Sequence, residues 1–332
     1  MTTPPSLSVV LPVYNGARHL RESIEGVLGQ TCSDFELLVW DDASLDGSWE
    51  IARSYSDQRI RWYQQSENVG LFRNLNSALE RAGGELVRLW SQDDRMKPEC
   101  LEREQRFWKR HPDVGMFYCQ RETIDHRGCV LNSGLGDTTP EVISGGLADE
   151  ISYNWGSMPG NISTVTIPRR VLSRLGLFDL RMSLAADFAM WVRIQEKYSI
   201  GFCNEPLIQL RSHSEQLSRR RGADLVFLRE CREIYRVLHE RLPVETRSQR
   251  ERYSRYVHCA PCFSAAVRAL LRGEAKHAWK LIKEIHGWHN AGLVALLWLV
   301  TGNLRCYRPQ PVYSDRSHAE LGRVAATMRA SV

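Results

Sequence analysis

The first half of the chain alternates short runs of β-branched and aromatic residues with stretches whose apolar positions recur every three or four residues. Residues 7–13 predict a first strand, after which Leu20, Ile24, Val27 and Leu28 fall on one helical face. Residues 35–40 predict a second strand, followed by a helix that carries Ile51, Ala52 and Tyr55 and that Asp46 can cap. A third strand at 60–63 precedes a helix with Leu71, Leu75, Ala78 and Leu79 on one side. Gly83-Gly84 closes that helix, and residues 85–90 predict a fourth strand. Strands that alternate with amphipathic helices imply an α/β fold, a mostly parallel sheet flanked by helices.

From Val114 the pattern is mixed. It predicts a strand, a turn at 125–128, a loop rich in Gly and Ser, a strand at 164–167, a helix at 187–198 and a last strand at 207–211. Beyond Arg219 the chain reads as helical to about Val300, with breaks at Pro243, Pro261 and Gly273. The expected organisation is a domain at 1–221 and a helical C-terminal extension at 222–332.

Composition narrows the class. A formal charge of +5 over 332 residues is small for a nucleic-acid binder, so no nucleic-acid partner is expected. The N-terminus lacks a basic region followed by an apolar run, so export is not expected, and the Asn161-Ile162-Ser163 sequon would then carry nothing. Nine scattered cysteines point to reduced thiols in a cytoplasm, and Cys259 and Cys262 have no second pair at zinc spacing. The absence of a Gly-x-Gly-x-x-Gly fingerprint and of a Walker loop disfavours nicotinamide oxidoreductases and P-loop kinases.

In an open parallel sheet the ligand crevice lies outside the carboxyl ends of the strands, which would bring loops 12–18, 41–47, 67–70 and 91–96 together. The adjacent carboxylates Asp93 and Asp94 suit a hard divalent cation that bridges phosphate oxygens, although an acidic pair by itself is more often a solvated turn. Context decides between the two. The run Ser8-Val9-Val10-Leu11-Pro12-Val13-Tyr14-Asn15-Gly16 resembles the opening strand and loop of family 2 inverting glycosyltransferases. Asp41-Asp42-Ala43-Ser44 is similar to their second nucleotide-binding segment, and Glu67-Asn68-Val69-Gly70 with Arg73-Asn74 to their third. Ser91-Gln92-Asp93-Asp94 stands at their acidic metal motif, and the resemblance extends from Leu7 to Ser218.

The resemblance implies a Rossmann-like fold of GT-A kind, a nucleotide-sugar donor with UDP favoured, and Mn²⁺ or Mg²⁺. It implies that Pro12, Tyr14, Asn15, Asn68 and Gly70 line the nucleotide pocket, and that a carboxylate of Asp41 or Asp42 accepts from the base imide. Arg73 would reach the diphosphate, and Asp93, which also touches the donor, would hold the metal with Asp94 and His213. Asp187, after Leu175-Gly176-Leu177-Phe178-Asp179, stands where the family carries its general base, and the Met158-Pro159-Gly160-Asn161 turn is a candidate donor–acceptor loop. Two positions depart from the pattern, Ser91 and Ala186, where the family often has acidic residues.

The implied acceptor is a hydroxyl of a glycan or lipid-linked glycan in surface polysaccharide synthesis. Two other readings compete, a non-catalytic binding subunit with the same fold and a nucleotidyltransferase. The basic stretch 277–288 and the apolar stretch 291–300, with Trp288 and Trp298 near their ends, fit a helix lying on a membrane surface. They fit equally a helical hairpin that packs on the catalytic domain or on a second subunit of a homo-oligomer. The expected location is the cytoplasm, including the inner face of the plasma membrane.

Overall fold

The computed structural model describes residues 5–134, 139–213, 222–300, 311–314 and 317. The first strands are β1 (Leu7–Val13), β2 (Phe35–Asp41), β3 (Ile60–Gln64) and β4 (Leu86–Leu89), and β1 and β2 are buried along their whole length. Between them lie α1 (Ala17–Leu28), α2 (Ser48–Arg53) and α3 (Leu71–Arg81). The short β5 (Arg95–Met96) leads into α4 (Cys100–Arg110), and β6 (Met116–Ile124) follows. Then come β7 (Val130–Asn132), β8 (Val142–Ile143), α5 (Gly145–Trp155), β9 (Val165–Pro168), α6 (Arg169–Leu175), α7 (Ala186–Gln195) and β10 (Ile200–Arg211).

The sheet runs β3-β2-β1-β4-β9-β6-β10-β5, with β7 beside β6 and β8 beside β10. The pairings β1/β2, β1/β4, β2/β3 and β6/β10 are parallel, while β9 is antiparallel to both β4 and β6. Six strands of the main path therefore point the same way, and only β9 and β5 run against them. The loops after β1, β2, β3, β4, β6 and β10 consequently leave from one edge. Strand order reverses between β1 and β4, the switch point at which such sheets open a crevice. Pro12 sits at that point: pairing of β1 with β4 ends at Val10 and Leu89, so the missing N–H of proline interrupts no bond to β4.

Two elements differ from those the sequence predicts. β10 begins at Ile200, seven residues before the expected start, because Pro206 breaks the alternation and the strand absorbs it as register shifts against β6. Residues 145–155 form a helix where Gly145 and Gly146 suggest a loop. Under the sheet, Arg88 of β4 meets Glu104 of α4 at 2.6 Å with both side chains fully buried, and Thr166 Oγ1 donates to the other Glu104 oxygen at 2.6 Å. Hydrophobic periodicity carries no trace of such a pair.

The chain divides into two compact units, the second formed by residues Asp149–Gly156 and Ser214–Arg323. It contains α8 (Ala223–Arg241), α9 (Arg247–Ser254), α10 (Ala260–Leu271), α11 (Ala275–Trp288) and α12 (Ala291–Val300). Pro243 and Gly273 end helices as expected. Pro261 does not: the helical run passes from α9 through a π-helical turn at Arg255–Cys259 into α10, and the proline falls directly after that turn, where the regular backbone ladder is already interrupted. Leu228, Cys259, Ala260, Ala266, Leu281, Ile285 and Val294 form the core of this unit. Trp288 stacks beside His258, and Trp298 donates to Ser264 Oγ at 2.6 Å, so both tryptophans serve this core rather than a surface belt. No described helix is long and apolar enough to cross a membrane.

Candidate active site

The loops after β1 and β2 are laced together by short polar side chains. Asn15 N–H donates to Ser44 Oγ at 2.9 Å, and Leu45 N–H donates to Asn15 Oδ1 at 2.8 Å. Asp46 accepts from Ala17 N–H and from Ser48 N–H and Oγ. Burial would raise its carboxyl, but these donors, led by Ser48, hold it below the usual range. Asn15 and Ala43 adopt left-handed backbone, with φ of 49° and 55°. Asn tolerates this conformation, whereas Ala43 is strained in it, as functional loops often are. The side-chain oxygen of Asn15, expected in the pocket lining, holds the neighbouring loop.

Gln92 closes the gap that β4 leaves beside β1. Its Oε1 accepts from Tyr14 N–H at 2.8 Å and its Nε2 donates to the Tyr14 carbonyl at 3.1 Å, replacing a strand neighbour with a side-chain amide. Gly16 leaves room for this clamp, since a Cβ there would lie 2.4 Å from the Gln92 amide and displace it. Tyr14 is thus fixed by its backbone, with its half-buried ring at the sheet edge.

The two carboxylates after β2 divide their tasks. Asp42 accepts from Val69 N–H at 2.8 Å and Gly70 N–H at 2.9 Å, so it shapes the entry to α3. Asp41 is fully buried and accepts through Oδ2 from Ser44 N–H and Gln64 Nε2, while its Oδ1 has no hydrogen-bond partner among the described residues. Asn68 and Arg73 flank this turn on the exposed surface. Asn74 is buried and donates to the Trp40 carbonyl at 2.7 Å.

Asp93 and Asp94 also face different ways. Asp94 is buried, accepting from Ser163 Oγ at 2.5 Å and from Arg211 N–H at 2.9 Å, and its burial pushes the carboxyl up to about 7. Asp93 is partly exposed, and its Oδ2 lies 3.4 Å from His213 Nε2. That nitrogen is buried and has no hydrogen-bond partner among the described residues. Residues 214–218, the rest of the segment that suggested His213, lie outside the described residues.

Arg211, unmarked in the sequence, organises this corner. Its guanidinium donates to the carbonyls of Asp93 and Asp125 and to Glu22 Oε2, tying the exits of β4, β6 and β10 to α1. Arg95 reaches the other Glu22 oxygen at 2.6 Å. Ser163 belongs to a short 3₁₀ turn capped by Asn161, so the expected donor–acceptor loop is pinned to Asp94 at one end. At its other end Arg121 donates to the Pro159 carbonyl at 2.8 Å.

Asp187 lies in the first turn of α7, where the helix dipole favours a negative charge, and its Oδ1 accepts from Phe188 N–H at 2.7 Å. The approach to α7 is anchored on α3: the Asn76 amide both donates to and accepts from the Phe178 backbone, at 2.9 and 3.0 Å. Phe178 in turn packs against Phe72 and edge-on against Trp191 of α7. Nothing local marks either amide for this role: Asn76 lies in the middle of α3 and Gln92 in the loop after β4.

With this geometry in place, comparison with known proteins is decisive. The profile described as glycosyl transferase family 2 matches residues 8–129. A putative glycosyltransferase of Bacillus subtilis, EpsE, is 37% identical over 224 residues, which cover 66% of this chain and 78% of that protein. The chain belongs to glycosyl transferase family 2. An uncharacterized glycosyltransferase of Rickettsia typhi is 30% identical over 220 residues, 65% of this chain. The chain spans 66% of the length of that relative and 65% of its Rickettsia prowazekii counterpart. Among solved structures, Staphylococcus aureus TarS 1–349 in complex with UDP-GlcNAc superposes with a TM-score of 0.66 at 20% identity, covering 91% of this chain and 89% of that one. That likeness shows the fold, an α/β architecture of GT-A kind with helices after the sheet.

Proposed function

We propose that the protein is a metal-dependent inverting glycosyltransferase that moves a sugar from a nucleotide diphosphate, with UDP favoured, to a hydroxyl of a glycan or lipid-linked glycan in surface polysaccharide synthesis. The observation that carries this reading is the pair Asp93 and His213, a partly exposed carboxylate 3.4 Å from a buried imidazole nitrogen that has no hydrogen-bond partner among the described residues, at the edge where six parallel strands end. The carboxylate oxygen suits either Mn²⁺ or Mg²⁺, and the imidazole nitrogen favours Mn²⁺ of the two. Among the described residues no third His, Cys, Asp or Glu joins them, a ligand count that fits a cation completed by diphosphate oxygens and water. When bound, such an ion neutralises charge on the departing diphosphate. Asp94 acts as a brace, since both its oxygens hold protein groups.

On this reading residues 1–221 form the catalytic domain and 222–332 the extension. One carboxylate of the Asp41–Asp42 pair accepts from the base imide beside Tyr14 and the turn at Asn68 and Gly70. Asp41 does so through its Oδ1, which has no hydrogen-bond partner among the described residues, while Asp42 shapes that turn, and Arg73 meets the diphosphate. Asp187 takes the proton of the acceptor hydroxyl as that oxygen forms its bond to the sugar, while the bond to the diphosphate breaks and its electron pair leaves with the nucleotide. Supporting company comes from TarS, solved with UDP-GlcNAc and with UDP, and from a Pyrobaculum calidifontis mannosyltransferase solved with GDP-Man and Mn²⁺. A Bacillus subtilis relative named for teichuronic acid biosynthesis, TuaG, supports the glycan acceptor.

Thermal stabilisation by nucleotide sugars with and without Mn²⁺ tests the donor site, because a ligand of the folded state raises its melting temperature. Asp187→Asn should lower transfer by about 10³-fold while leaving that stabilisation intact. Full activity in Asp187→Asn would overturn the base assignment. Metal-dependent binding without turnover would restore the binding-subunit reading, and release of pyrophosphate the nucleotidyltransferase.

A further inference from the structure

The helical unit turns a basic and apolar face to solvent at the tip of its α10–α11 hairpin. Leu270 and Leu271 end α10 and are 50% and 82% exposed, and Trp279, one turn into α11, is 68% exposed. At 100° per residue, Lys276, Trp279, Lys280 and Lys283 form one stripe of α11, opposite the stripe of Ala278, Leu281 and Ile285 that builds the core. The acidic residues of the hairpin are already neutralised: Glu284 pairs with Arg229 and Arg232 of α8, and Glu274 with Arg272. The three lysines therefore leave a net positive stripe around an exposed indole and two leucines. On α12, Leu293, Leu296 and Leu299 are also exposed, at 39%, 56% and 66%.

We propose that this face docks on an anionic lipid bilayer, with Trp279, Leu270 and Leu271 entering the headgroup region and Lys276, Lys280 and Lys283 meeting lipid phosphates. Charge decides between this occupant and a second copy of the chain: a self-complementary contact through this face would bring like lysine stripes together, whereas a negative surface attracts both elements at once. An indole at the interface with lysines beside it is the arrangement that binds without spanning, and no described helix could span. The residues at work differ from Trp288 and Trp298, which the helical core occupies. The inference is independent of the catalytic reading, because vesicle binding needs no sugar transfer.

Sedimentation of the full chain with vesicles of phosphatidylcholine, alone or mixed with phosphatidylglycerol, tests it. Binding is expected only to the mixed vesicles and should weaken as salt rises. The triple variant Lys276→Glu, Lys280→Glu, Lys283→Glu should reduce the partition coefficient by roughly 100-fold or more. Trp279→Ala combined with Leu271→Ser should reduce it by about 10-fold or more. All five positions are exposed, so helicity by circular dichroism should match the parent. Equal binding to neutral vesicles, binding indifferent to both variants, or a dimer that dissociates in Leu271→Ser without any vesicle binding would each overturn the proposal.

Discussion

The loops at the sheet edge and the outer face of the helical hairpin handle unpartnered groups in opposite ways. At the sheet edge most polar side chains have a protein partner, and the buried polar atoms with none among the described residues include Asp41 Oδ1 and His213 Nε2. At the hairpin the groups left over are apolar and exposed, Trp279 and Leu271 foremost. A buried polar atom without a partner costs free energy until a ligand supplies one, so it marks a site for a small polar molecule. An exposed apolar cluster costs free energy until a surface covers it, so it marks a site for something large. The same criterion, an unmet physical requirement, thus points to two kinds of partner.

The comparison can be broken first at its foundation. If the sheet edge is rigid because the sheet beneath it is, removing the buried charge pair should loosen it, and Glu104→Gln should cost about 3–5 kcal/mol by leaving Arg88 without its counter-charge. Chemical denaturation measures this; a loss below about 1 kcal/mol would show that Arg88 finds another acceptor. Next, Asp93→Asn and His213→Ala should each weaken metal-dependent nucleotide binding by roughly 10- to 100-fold. Neither should lower the melting temperature of the free protein, because neither side chain braces the fold. A large stability loss without loss of metal response would reassign the pair to structure.

The third test concerns the helical unit. Its His258 lies against Tyr235 at 3.8 Å, donates from Nε2 to the Tyr153 carbonyl and accepts at Nδ1 from Ser254 Oγ, while burial pushes the ring down to about 3. Folding therefore favours the neutral ring. The corresponding stability is fully present above the ordinary pKa near 6.5 and falls as the pH drops toward 3, by roughly 3 kcal/mol at pH 4.5. His289, pushed down to about 4, adds to the same trend. Thermal melts across this window check it, and His258→Gln should flatten the slope. The smallest effect belongs to Ala43, whose left-handed backbone suits glycine better. Ala43→Gly should stabilise by up to about 1 kcal/mol, and a loss would show that the Ala43 methyl packs usefully.

Much of this molecule was legible along the chain. The four parallel strands, their helices and the order of the polar loops follow from local periodicity and turn residues, which act within a few positions of one another. The motifs placed Asp41, Asp42, Asp93 and Asp94 at strand ends, and the family they suggested is the one to which the chain belongs. Tertiary structure decided how each pair is used. Whether Asp93 or Asp94 faces the crevice depends on Ser163 and Arg211, 69 and 117 residues from Asp94 in the chain. Gln92 and Asn76 gained their clamping roles from backbone that other elements deliver. In the C-terminal helices the sequence showed a basic amphipathic stretch and an apolar one, but only packing showed that Trp288 and Trp298 meet the helical core while Trp279 stays in solvent. Periodicity reports which face of an element is apolar; which partner meets that face, and which polar atoms are left without one, is settled only where distant segments come together.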